Sequence, residues 1–125
     1  MVTKNQVESI LAPDEPDYEA AARLGLAALP YLHELVREDD AMTAAKAAYL
    51  AARIGGPDSK DVLETAADSS YPEVRAAVVS ATQLLDQDTA ARILRRLHSD
   101  SDPAVAAYAA RMAHTEGRKP GERGA

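Results

Sequence analysis

Three helix-length stretches recur at a spacing of 31 residues without a gap: DAMTAAKAAYLAARI from Asp40, YPEVRAAVVSATQLL from Tyr71 and DPAVAAYAARMAHTE from Asp102. A fixed internal period constrains a fold more tightly than local propensity does, because each copy must bury its apolar face against the next. Within the copies, Thr43/Val74/Val105, Ala47/Val78/Ala109 and Leu50/Ala81/Met112 fall in register, four and three residues apart. That spacing describes one apolar helical face. The intervening stretches PYLHELV, DVLETAA and RILRRLH keep the same offset and align Leu32/Leu63/Leu94, Leu35/Ala66/Leu97 and Tyr31/Val62/Ile93. The unit is therefore a helix, a short turn, a second helix and a connecting turn.

A partial copy lies upstream. AARLG at 21–25 echoes AARIG at 51–55, one residue away from the main spacing. A first helix near Lys4–Leu11 places Val7, Ile10 and Leu11 on one side, and APDEPD breaks it before a second helix begins at about Asp17. The expected division is an atypical capping pair over 3–26 and repeats near 28–55, 59–85 and 89–114, together a repeat domain over 1–115. GRKPGERGA has no apolar periodicity, and a disordered tail is expected over 116–125.

At 125 residues the chain fits one domain. Alanine dominates its apolar content, tyrosine is the only aromatic, and cysteine is absent, so helices pack closely with no disulfide framework or thiolate site. The net charge of −6 argues against a general phosphate-binding protein, which would concentrate Lys and Arg. The N-terminus lacks the apolar run of a signal peptide, and no stretch approaches the ~20 apolar residues of a membrane span. A cytoplasmic protein is the expectation.

ALPYLHELVREDD, Pro-Glu-Val-Arg at Pro72–Arg75 and Asp-Pro-Ala-Val at Asp102–Val105 resemble the HEAT repeat family, in particular short HEAT-like repeats of the phycobilisome-lyase type. The resemblance covers about Ala20 to Thr115. It implies an all-α fold, a short right-handed α-solenoid of about four helix pairs. It also implies that first helices lie outside and second helices line the inner surface. There are departures. Asp40-Ala41-Met42-Thr43 lacks both the proline and the valine, and Arg75 has Ala44 and Ala106 as counterparts. In the family that arginine commonly bonds acidic turn residues, so a ladder of such bonds is expected to be incomplete here. The tetratricopeptide and ankyrin signatures are missing.

The candidate chemistry is sparse. His33, His98 and His114 occupy different places in the repeat, and only His33-Glu34 forms a His-Glu pair. The carboxylates gather in turns, where capping accounts for them; Asp102-Pro103 reads as a cap followed by a first-turn proline. Gly55-Gly56-Pro57 is a helix stop, since no Gly-Lys-Ser/Thr follows. Arg92, Arg95 and Arg96 sit among acids and read as a solvated mixed-charge face. No catalytic, cofactor-binding or metal-binding constellation is expected.

The off-core positions of the second helices are the remaining candidates. Tyr49, Ser80 and Arg111 are equivalent in the repeat and form an expected row, joined by Arg53, Gln83 and Tyr108, with Glu73, Ala76 and Ala107 between them. Tyr and Arg are common interface anchors. Tyr71 joins this surface as the only aromatic among three equivalent helix entries, its ring either packing across the turn or meeting a partner. Ser70 is expected to meet a free helix amide in place of the missing cap. The expected function is a non-catalytic protein-interaction module or adaptor. Its partner would be another protein with a basic segment as complement, and an exposed solenoid end would be available for weak homodimer pairing. The alternative is a bilin or tetrapyrrole lyase-related role, and a nucleic-acid-binding role ranks lower.

Overall fold

The computed structural model describes residues 1–116, with side chains through His114. The tail expected from residue 116 lies outside the described residues, apart from Glu116 at the end of the last helix. Eight α-helices follow one another among the described residues: α1 (Lys4–Leu11), α2 (Tyr18–Ala22), α3 (Leu29–Leu35), α4 (Ala41–Ile54), α5 (Pro57–Ala67), α6 (Pro72–Ala81), α7 (Gln87–Leu97) and α8 (Pro103–Glu116). Short 3-10 turns occupy Gly25–Ala28 and Thr82–Leu84.

The helix starts follow from side-chain chemistry. Thr3 and Gln6 form a reciprocal capping box on α1. Asp40 accepts from the Thr43 amide at 3.2 Å and from its hydroxyl at 2.9 Å, and Asp86 does the same with Thr89 at 3.0 and 2.8 Å. One oxygen of Asp102 accepts from the Ala104 and Val105 amides at 2.8 and 3.1 Å. The stops are as local. The echoed glycines Gly25 and Gly55 both take left-handed φ, 70° and 76°, which a side chain would oppose.

Two layers result. α3, α5 and α7 lie side by side in one, while α4, α6 and α8 lie side by side in the other, with α2 packed on α4. The short α1 touches α2, α3 and α4. The core lies between the layers, where Leu32, Leu63 and Leu94 meet Ala47, Val78, Ala109 and Leu50, all buried. Such a leucine contributes roughly 1.5–3 kcal/mol by leaving water. Alanine and valine in the second layer let its helices approach closely.

Two expected core positions depart from the column pattern. Thr43 is only half-buried, because its hydroxyl is drawn to Asp40, and Ala44 fills the core there instead. Tyr31 is likewise half-buried, whereas its counterparts Val62 and Ile93 are buried. The α6 entry also differs from expectation. Ser69, not Ser70, takes part: its hydroxyl accepts from the Tyr71 amide at 3.1 Å. No side chain caps α6, and Pro72 removes one amide from need.

Candidate functional site

The second-helix layer carries the residues singled out from the sequence, and the structure divides them. Tyr49 is half-buried on α4, its ring centroid 4.8 Å from that of Tyr18 at an interplanar angle of 64°. This is an edge-to-face contact of the favourable kind. Burial, and secondarily the neighbouring Tyr49, push the Tyr18 hydroxyl above its ordinary titration range. Arg53 is exposed in the last turn of α4, and Ser80 is half-buried on α6. Tyr71 is half-buried and packs against the core. The exposed Gln83 reaches across to α8, its amide nitrogen 3.9 Å from the Met112 sulfur.

Tyr108 and Arg111 share a different setting. The Arg111 guanidinium carbon lies 5.6 Å from the Tyr108 ring centroid, within cation–π range. Both line an open groove of about 510 Å³ between α6 and α8. Ala76, Ala104 and Val105 give it an apolar lining, and Pro72, Glu73 and Asp102 stand at the helix entries. Tyr49 and Ser80, the equivalents of Arg111 on α4 and α6, are not among the residues lining that groove. Sequence reasoning missed Pro72, Asp102 and Ala104 as groove residues. The repeat register held a signal for them, since Pro72/Pro103 and Glu73/Ala104 are equivalent pairs at two neighbouring helix entries.

The groove walls are held in place from behind. Arg75 donates from Nε to Asp100 Oδ1 at 2.8 Å and from Nη2 to Asp100 Oδ2 at 3.0 Å. Its Nη1 donates to the Ser69 carbonyl at 2.8 Å. The two side chains are only 12% and 7% exposed. This fork is a rung between the α5–α6 and α7–α8 turns, and Asp100 Oδ2 also accepts from the Asp102 amide at 2.9 Å. The α6 and α8 entries are thereby fixed side by side. Hydrogen bonds from Arg75 hold the Asp100 carboxyl below the usual carboxylate range, and the same bonds raise the Arg75 guanidinium.

Elsewhere the surface is mixed in charge. Arg92 meets Glu64 at 2.7 Å and Arg96 pairs with Asp68, tying α7 to the α5 segment. His33 is half-buried with Nε2 2.9 Å from the Thr65 hydroxyl oxygen, while His98 and His114 are exposed. Among the described residues no group of three or more His, Cys, Asp or Glu could hold a metal ion. No helix among the described residues is long and apolar enough to cross a membrane.

Helix pairs stacked in two layers, with a shared core and a repeating register, define an α-solenoid. A family model for HEAT repeats matches residues 17–83. That span is more than half of the chain, which belongs to the HEAT repeat family. No curated protein and no solved structure matches it.

Proposed function

We propose that this chain is a non-catalytic interaction module that engages a partner protein through its second-helix layer, with residues 1–115 as the interacting unit. HEAT repeats generally mediate protein interaction. The observation that carries the reading here is the open α6–α8 groove, in which Tyr108 and Arg111 stand beside alanines that leave room for an approaching chain. Tyr and Arg are enriched among interface anchors, Tyr for a large ring with two torsions to fix and Arg for a planar, multidentate guanidinium. On the opposite layer, Arg92 and Arg96 are engaged with carboxylates of the same chain.

Site-specific photocrosslinking in the source cell tests this. A photoreactive side chain at the exposed Ala107 on α8 should trap a protein partner, and the same group at the exposed Arg95 on α7 should not. Adducts formed only from position 95 would move the binding face to the other layer and overturn the reading.

A further inference from the structure

Resting on that reading, we infer that the α6–α8 groove receives a short segment of a partner protein that pairs a lysine or arginine with small apolar residues. The groove joins two unlike parts. Ala76, Ala104 and Val105 offer apolar surface beside the Tyr108 ring, and Glu73 and Asp102 stand together at one end.

The charges at that end can be resolved. Asp102 caps α8 through Oδ1 alone, and its Oδ2 takes no hydrogen bond from the described residues. Glu73 is exposed and makes no direct ion pair among the described residues, its charge and that of Asp102 acting on Arg75 only through space. Asp100 lies close by, but Arg75 answers its charge through two hydrogen bonds. Two helix N-termini also point there, each contributing roughly half a positive charge. Two carboxylates against two such ends leave about one net negative charge at the helix entries. The Arg111 cation lines the other end of the groove, so it is the entry end that favours a cation. An incoming phosphate, nucleic acid or anionic membrane would instead meet Glu73 and Asp102, and the chain as a whole carries −6.

The length of the segment follows from the helix rise. Arg111 lies nine residues beyond Asp102, the cap of α8, which is about 13 Å of helix. About four extended residues cover that distance. The occupant therefore places its cation between Glu73 and Asp102 and lays the next few residues over the alanines towards Tyr108.

An array of immobilised pentapeptides tests the inference with the full chain as probe. Lys, Arg, Glu, Asp or norleucine is placed at each position in an alanine/leucine background. Retention should be strongest for single-cation peptides and at least tenfold weaker for their Glu counterparts. Glu73→Gln should weaken the cationic binders about threefold, as loss of one partly exposed charge contact does, and leave the norleucine binders unchanged. Ala104→Trp fills the groove without altering charge and should abolish retention of both kinds.

The outcomes separate the two claims. Peptides retained equally whatever their charge, and lost in Ala104→Trp, keep the groove and overturn the cation. Retention indifferent to Ala104→Trp, or no retention either with or without residues 117–125, overturns both. Spermidine competing as well as the best peptide would show a site for polycations and sink the peptide assignment. A groove blocked in the free chain by its own residues 117–125, seen as retention that appears only after their removal, would replace the partner segment by an internal one.

Discussion

The N-terminal and C-terminal parts of the second-helix layer are built from equivalent positions and are held by different chemistry. In the C-terminal part, Arg75 reaches forward to Asp100 and binds two successive turns through a shielded fork. In the N-terminal part its counterpart is Ala44, fully buried, and no such fork is possible. The cross-helix bond there comes from Lys46, whose ammonium donates backward to the Leu11 and Pro13 carbonyls at 3.1 and 2.8 Å. Those carbonyls lie at and just beyond the end of α1, where a cation complements the helix dipole. The aromatic residues differ as well. Tyr49 is committed to Tyr18 in the N-terminal part, whereas Tyr108 borders an open groove with Arg111. One repeat unit can thus end in a closed contact or an open one without changing its register.

Asp100→Ala offers the harshest test of this contrast. Removing one partner of a buried pair costs 3–5 kcal/mol in a deep core; at a turn, about 2–3 kcal/mol is expected by urea denaturation. Arg75→Met combined with Asp100→Leu should recover most of that loss, because no charge is then stranded. If the single and double variants are equally unstable, the fork is not what holds the C-terminal turns. Next in size is Tyr49→Ala, expected to cost about 1.5–2 kcal/mol through lost burial and ring contact. Tyr108→Ala, which loses core packing but no partner ring, should cost less, about 1 kcal/mol, and weaken partner retention as well. Reversal of that order would erase the distinction between the closed and open parts. Lys46→Met should cost about 1 kcal/mol, with hydrogen exchange accelerated mainly in α1.

The acid limb of stability sharpens the comparison further. Asp100 is held below the usual range mainly by Arg75, Asp40 by the Thr43 amide and hydroxyl, and Asp86 by the Thr89 hydroxyl and amide. A carboxyl whose folded titration lies below its unfolded one stabilises the fold above pH about 4. That contribution is lost as pH falls through the folded value. Stability should therefore decline below pH about 4, and Asp100→Asn should give a shallower decline in acid titration followed by circular dichroism. A curve parallel to wild type would assign the sensitivity to the exposed caps. The smallest expected effect is none: adding bilin should leave its absorbance spectrum unchanged, and a shift would revive the tetrapyrrole alternative.

Much of this architecture was legible in the chain itself. The core columns, the glycine stops and the aspartate caps depend on residues within about one helical turn of one another, and such interactions show as short-range patterns in sequence. Thr43 shows where that legibility ends, since its place in the apolar column was overruled by a hydroxyl three residues from Asp40. The site was less legible still. Arg75 and Asp100 are 25 residues apart, and nothing in the spacing selects Asp100 over the other turn acids.

By itself the sequence determined the repeat, its register, the helix ends and the buried faces, because 31-residue periodicity and local capping leave a helix-pair stack as the arrangement that covers every apolar stripe. Only the tertiary structure decided which tyrosine would be consumed by packing and where a groove would open. Those outcomes depend on how closely neighbouring helices approach and on which side chain arrives from the adjacent turn. Tyr18 comes from an atypical first pair and closes against Tyr49. Beside Tyr108, small alanines leave space between two helix entries that the Arg75–Asp100 rung fixes side by side.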